Sequence, residues 1–236
     1  MLLSKRLQAV AGLCTPGNRV ADIGCDHAYT SIYLVENNIS THVIAMDINL
    51  GPIERARDNV AKAGYSDRID IRRSNGLDYL KSGEVDTIMI AGMGGNLTNK
   101  ILNGNLEVVK RVSELVLQPQ SELHLVRRNL ESIGFVIVAE DMVKDSGKFY
   151  VMMKAKPVLE LEDKEGYLLA QEEHEYFGRI LLNIRHPILH EYLNKELIQW
   201  RLIYDKLLIW PTESSMTRQN EVSFMIRLIE QALKYY

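Results

Sequence analysis

The sequence predicts an α/β fold, a mostly parallel sheet covered by helices on both faces, followed by a C-terminal antiparallel helical (coiled-coil) domain. Three observations predict it. Short apolar runs of buried-strand type alternate with helical periodicities from residue 3 to residue 134, the rhythm of crossover connections in a parallel sheet. That alternation ends in a hairpin signal, Lys144-Asp145-Ser146-Gly147, which reverses one strand. After Pro157 the strands stop and two long helical patterns follow. The expected domains are therefore residues 1–157 and 158–236.

Each element has its own signal. Leu3, Leu7, Val10 and Ala11 space out a short amphipathic helix over 3–13, and Thr15-Pro16-Gly17-Asn18 is turn chemistry. Arg19–Ile23 reads as the first strand, broken at Gly24, and Tyr29–Glu36 as the helix after it. Thr41–Met46 is the second strand, ending at Asp47. Pro52 falls near the start of the next helix, where its missing N–H costs nothing. Ile53, Ala56, Val60 and Ala63 continue that helix to Gly64. Ile69–Arg72 and Val85–Ile90 are the third and fourth strands, the latter running into Ala91-Gly92-Met93-Gly94-Gly95. A helix over Leu106–Val112, a strand at Leu115–Leu117 and a helix over His124–Ile133 follow. Phe135–Met142 and Phe149–Ala155 form the hairpin. The last third predicts helices over Ile188–Ile209 and about Arg218–Tyr236, joined by Pro211-Thr212-Glu213-Ser214-Ser215, a link short enough to make them antiparallel neighbours.

Composition narrows the class. With 46% hydrophobic and 25% charged residues, the 236-residue chain supports a packed core. No apolar run approaches the roughly 20 residues that cross a bilayer, and the start lacks signal-peptide order, so no membrane association is expected. Two cysteines, Cys14 and Cys25, make no disulfide framework and fit a reduced cytoplasm. The net charge of −3 is not that of a general polyanion binder. Residues 1–157 hold 19 Lys and Arg against 18 Asp and Glu, whereas residues 158–236 hold 9 against 13. Basic pairs stand at Lys5-Arg6, Arg72-Arg73 and Arg127-Arg128; solvated surface and guidance of a polyanion are both open for them. His174, His186 and His190 read as structural histidines, because Pro187 interrupts any ligand spacing, so no metal is expected.

The chemistry-bearing residues fall at strand ends. In doubly wound sheets ligands bind beyond the carboxyl ends of the strands, near the topological switch. Gly24, in Asp22-Ile23-Gly24-Cys25-Asp26-His27, lets a ligand approach the backbone. Asp47 is placed for two ribose hydroxyls, with Ile48 beside it. Asn75 and Gly76 suit an adenine edge, and Ala91, Gly92, Met93 and Gly94 make a floor for a methyl acceptor. The dinucleotide fingerprint is absent, since its second and third glycine places fall on Asp26 and Tyr29. Asp22 suits the cationic methionine end of S-adenosylmethionine instead. Asp26 departs from the usual methyltransferase glycine pattern too, so this step alone leaves the cofactor open.

At these strings the chain resembles the bacterial tRNA adenine-N1 methyltransferases that modify a D-arm adenine at position twenty-two. The resemblance spans nearly the whole chain. It rests on Leu3-Ser4-Lys5-Arg6-Leu7, Ala21-Asp22-Ile23-Gly24-Cys25-Asp26-His27-Ala28-Tyr29, Asn75-Gly76-Leu77, Ile90-Ala91-Gly92-Met93-Gly94-Gly95 and Gln118-Pro119. It implies a Rossmann-like class I methyltransferase sheet with a terminal antiparallel strand, a helical coiled-coil domain, S-adenosylmethionine as cofactor and tRNA as partner. The implied cofactor shell includes Asp22, Gly24, Cys25, Asp47, Ile48, Asn75, Gly76 and Ala91–Gly94, with Lys5 and Arg6 on the nucleic acid.

The implied chemistry is simple. Adenine N1 has an in-plane lone pair, so no proton must leave before it attacks. Catalysis then rests on alignment and on a carboxylate near the developing positive charge. Asp26 is the expected carboxylate; His27 and Tyr29 are expected to orient or stack the flipped base. A helix-capping role for Asp26 and core packing for Tyr29 are the structural alternatives. Cys25 reads as a small buried residue rather than a nucleophile. Two other functions remain open from sequence: methylation of another RNA or small metabolite, and noncatalytic S-adenosylmethionine binding by a regulator.

Overall fold

Ser4 opens the regular structure: its hydroxyl accepts the Leu7 N–H at 3.3 Å and caps helix α1 (Lys5–Leu13). The computed structural model describes residues 3–161, 165–209 and 213–236. Strand β1 (Val20–Ile23), buried throughout, leads to helix α2 (Tyr29–Glu36). Strand β2 (Val43–Asp47) leads to α3 (Leu50–Ala63), which stops where Gly64 turns left-handed at φ +78°. Then come β3 (Ile69–Arg73), β4 (Thr87–Met93), α4 (Gly95–Gly104), α5 (Leu106–Val109), β5 (Glu114–Pro119), α6 (Leu123–Ser132), β6 (Phe135–Asp145) and β7 (Lys148–Pro157).

The sheet order is β3-β2-β1-β4-β5-β7-β6. Five parallel strands are joined by crossover connections, and the order reverses direction between β1 and β4. The reversed β7 inserts between β5 and β6, pairing antiparallel with both. This is the expected class I methyltransferase sheet. α1 packs on α2 and across β5, β7 and the edge strand β6, α2 on α3, and α4 on α6. The core lies between these layers and the central strands, around Val20, Val43, Ala45, Met89 and Val116.

Three of the differences from the sequence expectations lie in α4, in α5 and in the link between the last two helices. α4 was not expected, and the helix expected over Leu106–Val112 shortens to α5. α4 carries two glycines and three asparagines, which disfavour a helix intrinsically; burial of Thr98 and Leu102, with α4 packed on α6, holds it. The third concerns the interhelical link.

The chain forms two compact units, one ending at Leu168 and one spanning Leu169–Tyr236. Two short 3-10 turns, Val158–Glu160 and Glu165–Tyr167, stay with the sheet. The second unit contains α7 (Glu172–Phe177), α8 (Arg179–Asn183), α9 (Pro187–Ile209) and α10 (Glu213–Leu233). α9 and α10 pack on each other as a helical hairpin, burying Leu189 and Leu193 on one helix and Val222, Ile229 and Ala232 on the other. Of the expected link, Glu213, Ser214 and Ser215 belong to α10, while Pro211 and Thr212 lie outside the described residues.

Candidate functional site

The carboxyl ends of β1 and β4 meet at the topological switch, and the loops that leave them touch. After β1 the Gly24 and Cys25 N–H groups both donate to the Met46 carbonyl, at 2.7 and 3.0 Å, fastening the loop to the end of β2. Gly24 has φ +75°, and a Cβ there would collide with the terminal methyl of Met93 from the β4 loop. The left-handed backbone favours glycine here, and any larger residue would push the Met93 methyl aside. Asp26 and Ala28 also adopt positive φ, 50° and 58°, a strained arrangement for non-glycine residues. The N-cap of α2 is Ala28, with no side-chain cap, so Asp26 does not cap that helix.

Three carboxylates surround this loop. Asp22 is buried and accepts the Ser31 hydroxyl at 2.6 Å, and no cation pairs with it among the described residues. Burial pushes its carboxyl up to about 6; the Ser31 hydrogen bond opposes this and the Asp47 charge adds to it. Asp47, half-buried at the end of β2, accepts the Asn49 N–H at 2.9 Å and the Asp26 N–H at 3.4 Å. Asp26 is the open one, its side chain 66% exposed. Cys25 is buried and its thiol is pushed far above the ordinary range, chiefly by burial and then by Asp22, which suits packing rather than nucleophilic attack.

His27 is held from three sides. Arg55 Nε donates to its Nδ1 at 3.1 Å, and Asn59 Nδ2 to its carbonyl at 3.0 Å. Its Nε2 lies 3.5 Å from Asp26 Oδ2, and its ring stacks on Tyr29 with centroids 5.4 Å apart. Tyr29 also lines a cavity of about 340 Å³ with Tyr33, Asn59, Lys62 and Tyr65.

Ile48 stands 51% exposed just past Asp47. Asn75 donates to Asp78 at 3.2 Å, and with Gly76 it lines a cavity of about 170 Å³. Leu97, Lys100 and Ile101 of α4 form the other wall. The sequence reading missed these three with the helix that carries them; the apolar pair at i and i+4 was their signal.

At the end of β4 the pairing with β5 shifts register between Ala91 and Met93, so Gly92 bulges out with φ +84°. Gly94 begins α4 as its N-cap. Facing the bulge is Arg6. Its Nη1 donates to Gln118 Oε1 at 2.6 Å, and its guanidinium carbon sits 5.5 Å from the centroid of the Tyr150 ring. Lys5 is exposed on α1, but its neighbour Arg6 is half-buried beside the β4 and β5 ends. Gln118, already among the strings that carry the resemblance, stands with Gln120 and Tyr150 around Arg6 and the bulge, a grouping that sequence spacing does not bring together.

Among the described residues no group of three or more His, Cys, Asp or Glu is placed to hold a metal ion. His190 instead stacks on Tyr236, with centroids 4.5 Å apart. No helix among the described residues is long and apolar enough to cross a membrane. The uncompensated buried Asp22 is the observation that tests the implied cofactor: it fits a ligand with a cationic end. Asp47 adds hydrogen-bond acceptors at the next strand, and the Asn75–Ile101 cavity adds apolar walls.

Comparison with known proteins agrees with that geometry. A family described as a methyltransferase domain matches residues 3–153. The tRNA (adenine(22)-N(1))-methyltransferase of Bacillus subtilis is 38% identical over 154 residues, a stretch spanning 65% of this chain and 65% of that relative. A Streptococcus pneumoniae protein assigned as a tRNA (m1A22) methyltransferase, solved with S-adenosyl-L-methionine, superposes with a TM-score of 0.85 at 30% identity. That match covers 98% of this chain and 100% of that one. Mycoplasma capricolum TrmK, solved with S-adenosyl-homocysteine, gives a TM-score of 0.83 at 26% identity, covering 100% and 99%.

Proposed function

This chain belongs to the bacterial tRNA (m1A22) methyltransferase family, and from that premise we propose that it transfers a methyl group from S-adenosylmethionine to N1 of a D-arm adenine in tRNA. The observation that carries the reading is the meeting of the Gly24 loop and the Met93 loop over buried Asp22, at the switch point of a methyltransferase sheet. The cofactor supplies an electrophilic methyl on a positively charged sulfur. Asp22, Gly24, Asp47 and Ile48 hold it from β1 and β2, and Asn75, Gly76 and Ala91–Gly94 from β3 and β4.

On the acceptor side the residues position and stabilise rather than deprotonate. Asp26, exposed beside the loop, is the carboxylate that faces the charge growing on the adenine. Because Arg55 donates to Nδ1 of His27, the neutral ring carries its proton on Nε2, toward Asp26. The stacked His27–Tyr29 pair offers an aromatic face for a base taken out of its stack. Lys5 and the helical hairpin contact the tRNA body, and the two free, buried cysteines suit a cytoplasmic enzyme.

The test is methyl incorporation from labelled S-adenosylmethionine into bulk tRNA, followed by nucleoside mass spectrometry. 1-Methyladenosine is the expected product; a different methylated nucleoside, or none, overturns the reading. Asp26→Asn should lower the single-turnover rate about tenfold to a hundredfold with cofactor affinity retained. A rate equal to that of the parent removes Asp26 from the catalytic step.

A further inference from the structure

We propose that Arg6, Gln120 and the bulged Gly92 form an oxyanion-binding site in the catalytic crevice, taking a phosphodiester of the bound RNA or the carboxylate of the cofactor's methionine end. The inference rests on the methyltransferase reading for what enters the crevice. It stands on the geometry of three chain segments that are far apart in sequence.

The Arg6 guanidinium is a half-buried cation with no carboxylate partner among the described residues. Its Asp145 contact is made by the backbone N–H, at 3.2 Å, and leaves the side chain uncompensated. Gln118 pins one end of the guanidinium at Nη1 and Tyr150 carries its flat face. Gln118 itself is buried, and its Nε2 donates to the Pro119 carbonyl, so its polar atoms are engaged. The guanidinium has five N–H donors and only one of them is used there. Removing a cation from water without a partner is unfavourable; an anion with matching lone pairs reverses that.

Two side-chain donors stand beside the bulge. A Cβ on Gly92 would stand 3.4 Å from Arg6 Nη1 and 3.7 Å from Gln120 Nε2. Arg6 Nη1 and Gln120 Nε2 therefore flank Gly92 at ordinary contact distance, beside the bulge that ends β4, where an oxyanion lying over the glycine could reach both. The reaction restricts what belongs there. N1-methylated adenine is cationic, so a guanidinium at its ring would oppose the transfer, whereas one holding an adjoining oxyanion would orient the reactant.

Arg6→Gln, Arg6→Lys and Gln120→Ala separate the two oxyanions. Cofactor affinity is measured by calorimetry, and tRNA affinity at several salt concentrations. If the anion is a phosphodiester, Arg6→Gln should reduce the slope of log K against log salt by about 1. Cofactor affinity would then hold, and Arg6→Lys should restore the slope. If it is the cofactor carboxylate, Arg6→Gln should weaken cofactor binding about tenfold and leave the salt slope alone. Gln120→Ala, at an exposed position, should move the same quantity by a smaller factor, and it carries the test if Arg6→Gln fails to fold. Parental cofactor affinity and salt slope in folded Arg6→Gln and Gln120→Ala proteins overturn the site. In that case a parent enzyme still active on tRNA leaves the family reading standing, whereas a parent that neither binds nor methylates tRNA removes that reading and the phosphodiester arm together.

Discussion

The sheet unit buries an ion pair completely, whereas three ion pairs of the helical unit stand at its surface. In the sheet unit Arg127 and Glu140 pair at 2.8 Å with side chains 0% and 1% exposed. Glu114, also buried, takes hydrogen bonds from Thr15, Thr87 and Lys154. Asp22 is buried with only a serine. In the helical unit Arg201–Glu230, Arg218–Glu221 and Arg227–Glu172 all lie in solvent. Buried pairs fix one geometry, because every alternative leaves a charge without water or partner. Exposed pairs fix almost nothing. A unit that must hold reacting groups in register is built the first way, and one that presents a surface can be built the second.

The largest test of that contrast is Glu140→Leu. It removes the buried carboxylate that pairs with Arg127 and should lower stability by about 3–5 kcal/mol, read by denaturant unfolding. Adding Arg127→Met should recover most of the loss. A single-variant loss under about 1 kcal/mol would mean that the pair is solvated and the contrast false.

The same contrast marks what sequence makes legible. Strands β1 to β5 and the residues at their ends follow from local pattern, since a buried strand is a short apolar run and a switch-point ligand site begins where it stops. Gly24, Asp47 and Asn75 are legible for that reason. Arg6 is not: its partner Gln118 is 112 positions away and its ring contact lies on β7. Only the packing of α1 across β5, β7 and β6 turns Arg6, one member of a surface-type basic pair, into a crevice residue. α4 escapes because tertiary burial overrides a glycine- and asparagine-rich sequence.

Asp22 gives a test by pH. Its folded-state carboxyl titrates at about 6, against an unfolded value near 3.9, so the native state holds the proton more tightly. The stabilisation from that proton is complete below about pH 4 and lost as pH rises through about 6. Two pH units of difference correspond to about 3 kcal/mol. Asp22→Asn should flatten stability across this window when unfolding is followed from pH 4 to 7. The cofactor's cationic end should pull the proton off, so its affinity should rise from pH 5 to 7. Equal slopes for parent and variant would show that Asp22 is hydrated.

Asp47, half-buried at the crevice, belongs between the two extremes. Asp47→Ala should weaken S-adenosylmethionine by about 1–3 kcal/mol through lost charge-assisted hydrogen bonds, with little change in stability. Unaltered affinity by calorimetry would take it out of the cofactor shell.

The smallest effects should come from the hairpin's far half. Arg201 and Glu230 pair at 2.7 Å with side chains 58% and 46% exposed, where water and salt screen most of the attraction. Arg201→Ala should therefore cost between about 0 and 1 kcal/mol, and less in 1 M salt. Ile198 and Leu202 lie one turn apart on α9 and are 63% and 55% exposed, unlike buried Leu193 five residues nearer the α9 start. Ile198→Ser should stay within about 0.5 kcal/mol of the parent, whereas Leu193→Ala should cost about 2–5 kcal/mol. The pair of measurements tests more than packing. A large loss from Ile198→Ser would mean that this face is covered in solution, and mass measurement on the parent would then have to show a second chain. A negligible loss, with the mass of one chain, leaves the outer hairpin as a surface open to tRNA.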